Sequence, residues 1–215
     1  MTPKHRHTWV DGRCAAMRDG AVCGHKQPVK GVNGHAKGGV AEREVGSIIQ
    51  LWWQRFESTA EFCRTPLSGG WGKARGTKVA EHFNACGDLM TTGARFPFCV
   101  EAKWRESWSY DNLVQGKPTA PWGWWRQCLK AANTQHNVPM MWMRKNRIRA
   151  SRESFPWIVW VPLAFVIERR LSEPDIQWSA EQLVDNGVDF GKVLPVAYFY
   201  DRFTKMDPQR MATLQ

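Results

Sequence analysis

Residues 96–104 read FPFCVEAKW, and their reading decides the fold. Phe98, Cys99 and Val100 are an apolar run of strand-forming types that leads directly into Glu101-Ala102-Lys103. Strand side chains alternate with a period of two, so Glu101 and Lys103 share a face. Thirteen residues before Glu101 stands Asp88, in Gly87-Asp88-Leu89-Met90. Two carboxylates on adjacent strand ends, with a lysine beside them, are what a hard-cation site for Mg²⁺ or Mn²⁺ requires. Such a site hydrolyses phosphodiesters. A Glu and a Lys two apart on a strand are more often a solvated face, so the pattern gains weight only with support from elsewhere in the chain.

The stretch 41–56, AEREVGSIIQLWWQRF, predicts an amphipathic helix. Val45, Ile48, Ile49, Trp52, Trp53 and Phe56 fall at the i, i+3, i+4, i+7 spacing. On a helical projection Glu42 lies about 55° from the centre of the apolar stripe and Glu44 about 105° away, towards solvent. A carboxylate on the buried flank near a helix start is favoured by the dipole and faces whatever packs there. The plainer reading of Glu42 is a capping acid. A short strand at 61–64 follows, then a Gly-rich loop, TPLSGGWGKARGTK at 65–78, whose amides and cations Lys73, Arg75 and Lys78 suit phosphate. It lacks the P-loop spacing.

Charge points the same way. The 215 residues carry a net charge of +10, unevenly spread. Between Asp111 and Glu153 there are eight Lys or Arg and no acid, five of them within 144–152. A basic body suits a polyanion such as DNA, bound by counterion release. No stretch approaches 18 uncharged apolar residues, and the first residues lack a signal-peptide core, which makes a cytoplasmic setting the default and excludes a membrane partner. Six cysteines in a chain of this size do not make a disulfide framework; Cys63, Cys99 and Cys128 read as reduced core residues. Most of the thirteen tryptophans read as core, with Trp122, Trp124 and Trp125 candidates for partial exposure and base stacking.

The first forty residues differ in kind. His7, Cys14, Cys23 and His25, with His5 as alternate, crowd a segment with too few apolar residues for its own core. A structural Zn²⁺ would supply that stability. The H-x6-C-x8-C-x-H spacing matches no common finger, and a basic arm with incidental Cys and His is the alternative. Residues 26–40 hold five Gly or Pro and three Lys and read as a flexible linker.

In chain order, AERE at 41–44, FCRTPLS at 62–68, GDLM at 87–90, FCVEAKW at 98–104, WRQ at 125–127, LKAA at 129–132 and VPMMWMR at 138–144 together resemble the archaeal-type Holliday junction resolvases of the PD-(D/E)xK nuclease superfamily. The resemblance covers residues 38–162. It implies that Glu42, Asp88 and Glu101 are the metal-site acids and Lys103 the catalytic lysine. It also implies that Arg64 and Ser68 act near the scissile phosphate, that Gln127 is a supporting residue, and that the protein is a homodimer on a four-way junction. Gly87 departs from the family, which has Pro before the Asp.

Downstream, a helix is expected at 122–132, with Gln127 and Lys130 near the site. Strands at 138–143 and 157–161 are joined by a basic loop into a hairpin-like wing whose Arg144, Lys145, Arg147 and Arg149 contact phosphates. Residues 163–171 suggest a helix. Ser179 to Gln182 is a capping-box signature for a helix ending at Gly187. The apolar run 193–200 is an extra strand or a dimer contact. The expected fold is α/β, a restriction-endonuclease-like core of a mixed sheet flanked by helices. Residues 1–37 form the arm with its zinc ligands, 38–162 the nuclease core and 163–215 a C-terminal extension. The expected activity is Mg²⁺- or Mn²⁺-dependent cleavage of branched DNA. The rivals are a nuclease of the same fold on another DNA substrate and a non-catalytic zinc-stabilised DNA-binding protein.

Overall fold

The computed structural model describes residues 34–65, 85–92, 95–106, 108–134, 136–145 and 157–212, with side chains from residue 38 on, and the backbones of four two-residue strands nearer the N-terminus. The chain divides into two compact units, residues 1–34 and 35–215. In the first, β1 (Trp9–Val10) pairs antiparallel with β2 (Arg13–Cys14), and β3 (Met17–Arg18) with β4 (Ala21–Val22). Asp11-Gly12 and Asp19-Gly20 separate the paired strands, a composition that two-residue hairpins favour. Of the proposed zinc ligands, His7, Cys23, His25 and the side chain of Cys14 lie outside the described residues.

The second unit opens with α1 (Gly34–Trp53) and an antiparallel pair, β5 (Phe62–Arg64) with β6 (Leu89–Thr91). Then come β7 (Phe98–Arg105), β8 (Val138–Lys145), β9 (Ile158–Pro162), β10 (Ile176–Gln177) and β11 (Pro195–Phe199). These five form one sheet in the order β10-β11-β9-β8-β7. Only β7 and β8 run parallel. Parallel neighbours need a long crossover, and α2 (Tyr110–Val114) and α3 (Ala120–Asn133) supply it.

The sheet is buried on both faces, which is why its strands read as unbroken apolar runs. Val100, Met140, Trp142, Val159 and Val196 pack with Val45, Ile49, Trp52 and Trp53 of α1. The alternate residues Met141, Met143, Ile158, Trp160 and Ala197 pack with Trp122, Trp125, Cys128 and Leu129 of α3. Trp160 lies 4.8 Å from Trp122 and 5.1 Å from Trp178, ring centre to ring centre. Aromatic pairs of this kind add about 0.5–1.5 kcal/mol beyond area burial.

Several expectations change. Trp122 and Trp125 are buried rather than exposed, because α3 turns them onto the sheet. The strands at 138 and 158 are no wing. They are central in the sheet, with β11 paired to β9 and β7 to β8. The supposed extension is structural as well: β10 and β11 complete the sheet, and Tyr198 and Phe203 lie in its core. Three further helices, α4 (Leu163–Glu168), α5 (Ala180–Asp185) and α6 (Tyr200–Lys205), and a 3-10 turn at Pro208–Met211 follow or separate these strands. Ser179 caps α5 by accepting from Gln182 N at 3.0 Å. α1 begins at Gly34, inside the expected linker. Among the described residues no helix is long and apolar enough to cross a membrane.

Candidate active site

Three chain segments meet at the open edge of β7. The segment before β6 runs beside it, with Gly87 bridging Val100 and Asp88 N donating to Val100 O at 2.7 Å. Gly87 has φ +74°, and a Cβ there would run into the Val100 carbonyl. Only glycine lets the chain approach so closely. Asp88 returns the contact: its Oδ2 accepts from Ala102 N at 2.9 Å. The two carboxyl-bearing segments are thus locked in register by backbone and side chain together.

A covalent tie reinforces them. Cys86, two residues before Asp88, is disulfide-bonded to Cys99, two residues before Glu101. This corrects the reading of Cys99 as a reduced core thiol; the bridge between Gly87 and Val100 brings the Cα atoms of the two cysteines within 4.7 Å. Cys63 is exposed rather than core, while Cys128 is a buried free thiol as expected.

Asp88, Glu101 and Glu42 are all buried. Lys103 Nζ lies 2.6 Å from Glu101 Oε2 and 4.0 Å from Asp88 Oδ2. Burial, and then the neighbouring Asp88, push the Glu101 carboxyl up to about 7 against the pull of Lys103. Burial opposes the charge of Lys103, but Glu101 and Asp88 outweigh it and hold its pKa above the ordinary lysine value. Glu42 is also raised, by burial first and then by Asp88, while Arg64 draws it down. These carboxylates carry more negative charge than their cations neutralise in a poorly solvated place. That is a site prepared for a further cation.

Glu42 comes from the α1 side. It sits eight residues into the helix, so the dipole argument made from a start near residue 41 does not apply. Its position is set instead by packing and by an ion pair with Arg64 of β5. Gly38 and Gly39 leave the room: a Cβ at Gly39 would come 3.2 Å from Arg64 Nη1. Among the described residues no group of three or more ligating side chains is gathered tightly enough to hold an ion unaided. Asp88 and Glu101 are two oxygen donors, so a divalent ion such as Mg²⁺ could be held there only with water or substrate oxygens completing its shell.

Other expected residues are placed elsewhere. Arg144 is not at a DNA surface. It is buried, its Nη1 donates to Glu44 Oε1 at 2.7 Å, and its guanidinium lies 4.0 Å from the ring centre of Trp104. Glu44, projected towards solvent, is recruited into this network and also accepts from Trp157 Nε1 at 2.9 Å. Lys145 is half-buried at the end of β8, and Gln127 and Lys130 are exposed on α3. The α3 residue that feels the acids is Cys128, whose thiol donates to Cys99 O and whose pKa is raised well above normal, by burial and then by Glu101. Its lone apolar setting in sequence offered no sign of that position. Ser68, Lys73, Arg75, Lys78, Arg147 and Arg149 lie outside the described residues.

A mixed sheet with a parallel β7–β8 pair, a carboxylate at the turn into β6 and a Glu-x-Lys on β7 defines the class of PD-(D/E)xK nucleases. Residues 33–207 match the family described as phage putative PDDEXK endonuclease, and the chain belongs to that family. The matched span reaches through β11 and α6, so the C-terminal strands are family structure rather than an appendage. No curated protein and no solved structure gives a significant match.

Proposed function

We propose that the protein is a Mg²⁺- or Mn²⁺-dependent endodeoxyribonuclease of branched DNA, four-way junctions in particular, working as a homodimer in the cytoplasm of a phage host. The observation that carries the chemistry is the buried Asp88–Glu101 pair with Lys103 between its oxygens. The junction preference rests on the order of the short motifs from AERE to VPMMWMR. The dimer follows from it, since a two-fold pair presents two sites to two strands. A Zn²⁺ on His7, Cys14, Cys23 and His25 would hold the N-terminal arm.

Asp88 and Glu101 would hold the divalent ion, with Glu42 as the third carboxylate. Bound there, it would supply a water of lowered pKa and a positive charge against the phosphate. Glu101 gives up its proton on loading, because its pKa near 7 leaves it partly protonated at neutral pH. Lys103, fixed by Glu101, stays charged, and would orient the attacking water or stabilise the developing oxyanion. Arg64, partly exposed beside Glu42, would meet a phosphate, and Ser68 and Gln127 complete the set by resemblance.

The test is cleavage of a labelled four-way junction beside a linear duplex, a flap and single-stranded DNA, with Mg²⁺ or EDTA, for wild type and Asp88→Asn. Paired nicks in the junction alone, lost in EDTA and in the variant, are expected. Metal-dependent cleavage of the other substrates would retain the site and discard the junction preference. No metal-dependent cleavage of any substrate would leave only a DNA-binding protein.

A further inference from the structure

A second cationic feature lies apart from the carboxylates. A cavity of about 390 Å³ is lined by Leu171, Ser172, Arg202, Lys205, Met206, Asp207 and Arg210. Three of its walls carry cations, and each is held differently. Arg202 is clamped, its Nε 2.8 Å from Asp175 Oδ1 and its Nη1 donating to Glu173 O at 3.0 Å. Arg210 Nη2 donates to Arg170 O at 2.5 Å. Lys205 is exposed and has no ion-pair or hydrogen-bond partner among the described residues. The only acid in the lining, Asp207, uses Oδ1 to cap the 3-10 turn by accepting from Gln209 N at 3.0 Å.

The backbone beneath is built to hold this arrangement. At the end of α4, Leu171 N donates to Val166 O and Arg170 N to Ile167 O, the pairing of a Schellman turn. The left-handed position in that turn normally falls to glycine, yet here it is Arg170, at φ +50°. The strained residue is the one whose carbonyl fixes Arg210. On the opposite wall, Met206 O accepts from Trp52 Nε1 at 3.0 Å and from Arg55 Nη2 at 2.6 Å, which ties the pocket to the C-terminal end of α1.

We propose that this pocket is a second phosphate-binding site that grips the DNA backbone away from the scissile bond. Ten residues of α1 separate Glu42, at the carboxylates, from Trp52, at the pocket. That is about 15 Å along a helix axis, or roughly four to five base steps of a single strand. The ligand chemistry is a phosphodiester: two fixed guanidiniums and one uncommitted ammonium around a concave wall. The assignment rests on the nuclease reading above.

The experiment is DNA binding by fluorescence anisotropy between 50 and 300 mM salt, without divalent metal, for wild type, Lys205→Ala and Lys205→Glu. Lys205 makes no contact whose loss would unfold the chain. The slope of log affinity against log salt is expected to fall by about one for Lys205→Ala, with affinity about fivefold lower near 0.15 M. A larger loss is expected for the charge reversal. If wild type binds DNA and both variants match it in affinity and slope, the pocket assignment is overturned and the nuclease reading stands. If wild type binds no DNA, the pocket assignment falls with it, and the cleavage assay with Mg²⁺ decides the nuclease reading separately. A third arm titrates a deoxynucleoside monophosphate, followed by thermal shift. Stabilisation that Lys205→Ala abolishes, alongside an unchanged DNA salt slope, overturns the backbone assignment in favour of a free nucleotide.

Discussion

Glu42 and Glu44 stand two residues apart on α1, and each holds an arginine, yet they do opposite things. Glu44 sits in a closed network: Arg144 and Trp157 both donate to the same Oε1, and the guanidinium is stacked on Trp104. Glu42 pairs with Arg64 but also feels Asp88, so its single cation does not settle the local charge. Burial is common to both places. What differs is whether charge balances within them. A balanced buried network is architecture, whereas an unbalanced one is relieved by a shifted pKa, as at Glu101, or by a further cation.

The largest effect expected from this contrast is on cleavage. Asp88→Asn or Glu101→Gln should reduce the cleavage rate by about a hundred- to a thousandfold, the scale on which losing one preorganised group acts. DNA affinity should persist or rise, since a negative charge near phosphate is gone. Glu42→Gln should cost less, roughly ten- to a hundredfold, and Glu44→Gln should leave the rate per folded molecule nearly unchanged. Single-turnover cleavage of one substrate by all four variants is the measurement. A Glu44→Gln defect as deep as that of Asp88→Asn would break the distinction.

Stability should show the reverse ranking. Arg144→Met strands Glu44 in a partly buried place and should cost about 3–5 kcal/mol, as breaking buried pairs does. For a chain of this size that is a fall in Tm on the order of 6–20 °C. Arg64→Met should move Tm by a few degrees at most, because Arg64 is more than one-third exposed, at 38%. Reducing the Cys86–Cys99 bond should cost on the order of 3 kcal/mol from its 13-residue separation. It should also loosen Asp88 against Glu101. Tm and Mg²⁺ affinity, with and without dithiothreitol, check both; unchanged Mg²⁺ affinity would show that the backbone bridge alone sets the spacing.

The contrast between the two glutamates also marks how far the sequence could be read. Periodicity found the apolar face of α1, and two-residue alternation put Glu101 and Lys103 together, because both signals are local. The motif order then added weight to Asp88, which no local rule ties to Glu101. What failed was long-range. The partnership of Glu44 with Arg144 spans 100 residues, and Arg144, at the head of a basic cluster, reads as exposed until β8 is known to be a central strand. The same holds for Cys86 with Cys99, where composition argued against a disulfide and only the close approach at Gly87 permits one. The apolar run 193–200 reads equally as an extra strand or a dimer contact, because a resemblance confined to residues 38–162 leaves the sheet's far edge without a partner; the structure makes it β11. In sequence, an apolar run awaiting a neighbouring strand looks the same as one awaiting a second subunit.

The smallest effect, and the most specific to the unbalanced acids, concerns pH. In the protein without metal, burial and Asp88 raise Glu101 from its ordinary value of 4.5 to about 7. Between those values the folded chain holds a proton that the unfolded chain has released. Stability should therefore fall as pH rises from about 4.5 to about 7, and this contribution should be flat above 7. A divalent cation competes for the same oxygens, so its affinity should weaken by up to about tenfold for each unit below 7. The Tm gain from a fixed Mg²⁺ concentration should then be clearly larger at pH 8 than at pH 5.5. Glu44→Gln should retain that difference and Glu101→Gln should lose it. Equal gains at the two pH values in wild type would mean that Glu101 does not ligate the ion, and the charge imbalance at β7 would then need another explanation.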